Sequence, residues 1–333
     1  MALKQPWQED KTETEVQAAS DKRKRHREWS GAVGFLVLGL AGLFAGKLGL
    51  LWPRFDIFAQ FTIQFAIFVI AGAVGLFSPR LKGVAAGLVA VVLLFGYGLW
   101  PSFNVQTTES SLASGEKRLK VAQFNLGGKR SDTQAIVDSL HALNADVVTM
   151  VEVLSNREDV LARLKPDYPF QANCFENLGC DMAVVSKIPL LNNQVIYAGQ
   201  TVPLLKVSLG AAYGGLVIAA THTTRFPHVT EQFGQFRAIG QTLEVDAGPL
   251  VLMGDFNATP QSRLLRGLAD RLGVSIVTYL PSWPATYGLP QFAIDHVMIS
   301  ASIRALSAET VGQNAGSDHV PVSVVLAVTK GAK

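Results

Sequence analysis

Apolar residues crowd the first hundred positions of this chain in three runs, about 31–52, 55–77 and 83–100. As helices rising 1.5 Å per residue, each is long enough to cross a hydrocarbon layer of roughly 30 Å. The overall content, 49% hydrophobic and 17% charged, is too apolar for an ordinary soluble domain, and these runs hold the excess. The expected organisation is a basic cytoplasmic segment over 1–29, three transmembrane helices over 30–101, a linker over 102–117 and one exported domain over 118–333. Lys47 can extend toward the headgroups, and Trp52 and Trp100 occupy interfacial positions. Asp56, Gln60 and Gln64 interrupt the second run; interfacial placement or helix–helix hydrogen bonding accounts for them better than an intramembrane site. A cleaved signal peptide has a shorter apolar core and a small-residue cleavage site, so the first run reads as a retained anchor.

Basic residues set the orientation. Lys22, Arg23, Lys24, Arg25 and Arg27 precede the first run, Arg80 and Lys82 separate the second from the third, and the loop between the first two has only Arg54. The positive-inside rule then gives N-terminus in, first loop out, second loop in, and everything after Trp100 outside the cytoplasmic membrane, on the periplasmic or extracellular face. Topology explains the stretch KRKRHRE better than a nucleic-acid patch does, and the net charge of +3 therefore says little about partners. Cys174 and Cys180, the chain's two cysteines, fall in the exported part, where an oxidising compartment favours a disulfide over two buried thiols.

The polar stretch QTTESSLASGEK (106–117) reads as the linker. Beyond it, strand-like runs occupy 119–125, 146–153, 181–186, 204–210, 215–222, 249–255, 293–300 and 321–328, with helical patterns at 131–143, 156–164, 228–243 and 262–272. Ser131 and Asn156 suit helix N-caps, and Pro227 and Pro260 stand where helices commonly begin. Many strands and four helices disfavour an alternating barrel. They suit an α/β fold, a four-layer α/β/β/α sandwich of two packed mixed sheets.

Several apolar strands end in residues able to bind metal or move protons: Asn125, Glu152, His222, and Asp255 with Asn257. Asp295 and His296 interrupt another strand, and Ser317-Asp318-His319 precedes the last. Singly, such residues are ordinary turn formers or structural histidines; His26, His141 and His228 read as surface residues and His296 as packing. In this order the pieces QFNLGG, VEV, ATHTT, GDFNATP, IDHVMIS and SDHVPV resemble the endonuclease/exonuclease/phosphatase (deoxyribonuclease I-like) superfamily, over about 118–328. GDFN followed some sixty residues later by SDHxP carries most of the signal. Val151 stands where many relatives have Gln.

That resemblance implies a divalent-metal-dependent hydrolase of phosphoric esters. Hard oxygen ligands suit Mg²⁺ or Mn²⁺, with Glu152 and Asp318 as metal ligands and Asn125 as a nearby carbonyl. Asp255 would orient and deprotonate water, Asn257 one alternation away on the same face would donate its amide, and His222 and His319, the latter held by Asp295, would stabilise the transition state. Membrane lipids are then neighbours, and a lipid-linked phosphodiester or pyrophosphate is the expected substrate, as in membrane-anchored bacterial members of similar layout. A surface nuclease acting on DNA or RNA is the alternative, and a non-catalytic tethered binding protein the third.

Overall fold

The protein is described by a computed structural model covering residues 13–49, 51–76, 112–127, 132–153, 158–199, 201–244, 248–288, 290–307 and 310–329. The described residues divide into two compact units, one from within 1–44 and 61–98 and one from within 45–60 and 99–333.

The first unit holds most of helix α1 (Glu13–Leu48) and helix α3 (Thr62–Gly75). They pack through small residues: a Cβ on Gly39 or Gly72 would lie within 2.8 Å of backbone atoms of the facing helix. Such backbone-to-backbone approach is how helices associate where the surroundings are as apolar as their side chains. The α1 stretch Glu15–Leu48 is long and apolar enough to cross a membrane. A second crossing exists only if Pro53–Gln60 and Thr62–Gly75, which meet at 61°, are taken together. The third expected span, 83–100, lies outside the described residues. Where the sequence suggested three transmembrane helices, the described residues thus contain one clear candidate.

The second unit is the sandwich. One sheet runs β11 (Ile303–Ala305), β13 (Val322–Thr329), β1 (Glu116–Asn125), β2 (Val147–Val151), β4 (Ala183–Ser186), β3 (Phe170–Asn173), with β12 (Thr310–Val311) also on β13. The other runs β5 (Leu190–Ala198), β6 (Val202–Leu209), β7 (Val217–His222), β8 (Leu250–Asp255), β10 (Asp295–Ser300), β9 (Val274–Ile276). Each is mixed: β1–β2 and β7–β8 are parallel, and the remaining pairs antiparallel. Side-chain alternation builds the layers. Leu119 and Val121 of β1 face Val251 and Met253 of β8 across the inter-sheet core. Their neighbours Ala122 and Phe124 pack on α4 (Thr133–Leu143) and α5 (Glu158–Leu164), and Leu250 and Leu252 on α6 (Val229–Leu243) and α7 (Arg263–Leu272).

All eight expected strands coincide with observed ones. The strands that sequence periodicity missed are edge or short elements: β3, β5, β9, β11 and β12. The side chains of β5 are largely exposed, so no buried face marks it. Asp132 rather than Ser131 caps α4, its carboxylate accepting from Gln134 N; Ser131 and Asn156 fall outside the described residues. The helices after Pro227 and Pro260 begin at Val229 and Arg263. Cys174 and Cys180 form the expected disulfide.

One close approach fixes the strand pair at the centre of the second sheet. Gly254 pairs with Thr221, and a Cβ on it would lie 1.9 Å from the Thr221 carbonyl oxygen. Gly254→Ala must therefore separate β7 from β8. Its expected cost is about 3 kcal/mol or more, read as a lower thermal unfolding midpoint; an unchanged midpoint would refute the close packing.

Candidate active site

Alternation that buries odd-numbered residues of β1 and β8 between the sheets also aims Asn125 and Asp255 there, at the ends where the apolar layer stops. They meet: Asn125 Nδ2 donates to Asp255 Oδ2 at 2.9 Å and to Glu152 Oε1 at 3.1 Å. Register adds the neighbours. His222 and Asp295 stand opposite Asp255 on its two flanking strands.

Two like charges facing each other across a strand pair repel, and His319 relieves the repulsion. Its Nδ1 lies 2.7 Å from Asp295 Oδ2 and its Nε2 3.8 Å from Asp255 Oδ2. Burial alone lowers its pKa, but the charge and hydrogen bond of Asp295, with Asp255 and Asp318 behind them, raise it to about 9. His222 is similar: burial lowers its pKa, while the hydrogen bond to Asp181 and the charges of Asp255, Asp181 and Glu152 carry it up to about 9. Its Nε2 lies 3.9 Å from Asp255 Oδ2. Two imidazolium groups therefore point at one carboxylate oxygen from distances that leave it unbonded to either. Burial, then the Asp295 charge, push the Asp255 carboxyl up.

Glu152 follows β2 with φ +54, a left-handed backbone uncommon for a non-glycine residue. Its carboxylate lies beside Gly127. A Cβ on Gly127 would meet Glu152 Oε2 at 2.6 Å, Asn125 Oδ1 at 2.9 Å and Asp318 Oδ1 at 3.0 Å. Three oxygens from three segments thus converge on a hollow that only glycine leaves open, a donor set suited to a hard divalent cation. Asp318 is held by Trp283, whose Nε1 donates to Oδ2 at 3.1 Å. Ser317 ties this loop to β1, its hydroxyl donating to the Asn125 carbonyl at 2.8 Å.

A second group, Asp255, Asp295 and His319, offers ligand atoms within 4.8 Å of one another. It suits a cation less well, because a histidine held in the charged form by Asp295 has no lone pair to give at Nδ1. Asp295 Oδ1 is buried without a hydrogen-bond partner among the described residues.

Each expected site residue except Asn257 has its side chain in this cluster. Asn257 lies beyond the end of β8 with φ +49, so strand alternation does not carry it. Its side-chain amide donates to the Thr223 carbonyl, and its backbone N–H donates to Asp255 Oδ1 at 2.8 Å. It therefore orients Asp255, leaving Oδ2 to face the histidines. Asp181 and Trp283 also join the cluster, and neither has a local sequence pattern that reveals its partner. His296 is buried, with Nε2 2.8 Å from the Ala258 carbonyl oxygen.

The family model described as Endonuclease/Exonuclease/phosphatase family matches residues 122–319, more than half of the chain and all of this cluster. The chain belongs to the Endonuclease/Exonuclease/phosphatase family. Members of this family are hydrolases acting on phosphate esters, and they typically use divalent metals. Solved structures with the same fold include an endonuclease/exonuclease/phosphatase from Beutenbergia cavernae (20% identity, TM-score 0.52, covering 64% of this chain and 72% of that one). A Bacteroides thetaiotaomicron family protein matches at 12% identity and TM-score 0.53, covering 64% and 98%. D. rerio TDP2 complexed with single strand DNA product matches at 14% and 0.51, covering 63% and 99%. No curated protein matches the chain.

The Asp295–His319 pair gives a spectroscopic expectation. In chelator-treated protein the His319 ring resonances should titrate at about 9, and Asp295→Ala should bring them toward the ordinary histidine value of about 6.5. With its folded pKa raised, the pair's contribution to stability is complete below about 6.5 and is lost as pH rises through about 9.

Proposed function

We propose that this chain is a membrane-anchored, divalent-metal-dependent phosphoric ester hydrolase whose site opens outside the cytoplasmic membrane. The observation that carries the reading is the convergence of Glu152, Asp318 and Asn125 oxygens beside Gly127, next to a buried Asp255 faced by two imidazolium groups. Glu152 and Asp318, with Asn125, would hold Mg²⁺ or Mn²⁺. When bound, such an ion neutralises the phosphoryl oxygens and lowers the cost of attack at phosphorus.

The chain's own residues do the rest. Asp255 Oδ2 takes a proton from the attacking water, its Oδ1 being committed to the Asn257 amide. Asn125 holds Asp255 and Glu152 at a fixed separation through one amide group. His319, kept cationic by Asp295, and His222, kept cationic by Asp181, donate to oxygens that gain charge in the transition state. A pentavalent phosphorane gathers negative charge where two fixed cations already point, so little reorganisation is needed.

For the substrate we favour a lipid-linked phosphodiester or pyrophosphate. A domain joined to apolar helices by a short polar linker meets headgroups before it meets diffusing polymers. Nuclease activity on DNA or RNA is the second reading, since a neighbour in fold, TDP2, is seen with a single strand DNA product. Against a basic groove here, Arg266 is folded back onto the Pro260 carbonyl.

The full chain in detergent should hydrolyse bis-p-nitrophenyl phosphate with added Mg²⁺ and lose turnover in chelator. Asp255→Ala should lower the rate by on the order of 10² to 10⁴. Gly127→Ala, which fills the hollow, should raise the Mg²⁺ concentration for half-maximal rate about tenfold or more. Chelator-resistant turnover would sink the metal assignment. Plasmid DNA cleaved efficiently while phospholipid and prenyl pyrophosphate stay intact would sink the substrate assignment.

A further inference from the structure

The segment between α1 and α3 belongs to the compact unit of the sandwich. Its turn Pro53–Phe55 and helix α2 (Asp56–Gln60) run across the starts of α6 and α7, the helices that follow the His222 and Asp255 loops. Asp56 is 0% exposed. Its Oδ2 accepts from the Ser262 hydroxyl and its Oδ1 from Arg263 N, both at 2.6 Å. Gln60 Oε1 accepts from Thr259 N, also at 2.6 Å. Arg54 shares a cleft with Pro227, His228 and Glu231 before and within α6. The sequence assigned Asp56 and Gln60 to interfacial placement or helix–helix bonding; Gln60 meets Thr259 within GDFNATP, and Asp56 meets the residues that follow it.

A buried carboxylate is tolerated where several donors meet it, and an acid at a helix start is favoured by the exposed N–H groups there. Asp56 meets both conditions at the N-terminus of α7, seven and eight residues beyond Asp255. The other face of the segment is apolar: Leu51 is 68% and Trp52 58% exposed. Trp52, Phe55 and Phe58 form a run of adjoining rings, the residue types that settle at a membrane interface.

We propose that Pro53–Gln60 is a strap of the catalytic domain, resting on the bilayer surface by its aromatic face and fixing the Asp255–Arg263 loop by the other, with Asp56 and Gln60 as positioning residues. The strap and the active site then lie on one side of the membrane. This rests on the anchored hydrolase reading above, and it moves the working domain beyond its linker boundary.

Sidedness is tested without activity. Single cysteines replace Lys22, Arg54 and Tyr287 in the full chain, whose native cysteines are paired, and intact cells are treated with a membrane-impermeant maleimide; Arg54 is exposed and lies off the aromatic face. Arg54→Cys and Tyr287→Cys should react alike, and Lys22→Cys only after permeabilisation. Reaction at Arg54→Cys or Tyr287→Cys but not the other overturns the strap; equal reaction at all three overturns the anchoring and the sidedness with it.

Positioning is tested on the full chain with bis-p-nitrophenyl phosphate. Asp56→Ala should lower kcat about tenfold with KM changed less than about threefold, and the isosteric Asp56→Asn should restore most of the rate. Wild-type kcat in Asp56→Ala overturns the proposal, as does a loss that Asp56→Asn fails to rescue. If Asp56→Ala does not fold, Gln60→Ala decides: it removes one of the hydrogen bonds and should lower kcat about threefold, and an unchanged kcat overturns the role. If Asp255→Ala were fully active too, the hydrolase reading would fail instead.

Discussion

Asn125 and Asp255 join the two sheets by a hydrogen bond at the end where the apolar layer between them stops. Along the rest of their length β1 and β8 contribute Leu119, Val121, Val251 and Met253 to that layer. Alternation then leaves little freedom: the inward positions beyond, Gln123 and Asn125 on β1 and Asp255 on β8, face the space between the sheets whatever residues they carry. Polar residues there would be costly if unpaired, and Asn125 and Asp255 are paired with one another. The same parity that makes the core makes the cluster of polar groups at its end.

Charge balance in this cluster is as constrained as its geometry. Asp255 and Asp295 are cross-strand neighbours, and burial together with the Asp295 charge pushes the Asp255 carboxyl up. His319 lies between them and His222 lies opposite. Each histidine has a carboxylate behind its Nδ1, Asp295 for one and Asp181 for the other. A pair of oriented cations around one acid follows from sharing charge in a dry place. It also suits a reaction in which negative charge builds on phosphoryl oxygens.

The strap extends the same economy to the N-terminal region. A short stretch between two apolar helices would ordinarily be a passive connection, yet here its acid completes the start of α7 and its amide caps the GDFNATP loop. On the anchored reading proposed above, the strap gives a physical reason for the site to work at a surface.

Much of this was legible in the amino-acid order. Apolar runs marked eight of the strands, and the polar residues ending them marked the site, because both are local properties of the chain. The edge strand β5 was illegible, since its exposed side chains carry no such pattern. Asn257 was expected one alternation from Asp255 on the same face, whereas its left-handed backbone is decided by the turn it closes against Thr223. The partners of Asp181, Asp318 and Asp56 lie 41, 35 and 206 residues away, distances over which only the folded chain decides what meets. The sequence by itself determined eight of the strands and which acids and histidines end them. Tertiary structure alone decided which of those acids are bonded to what, because hydrogen bonds and charge compensation in a buried site depend on register and packing between segments far apart in the chain.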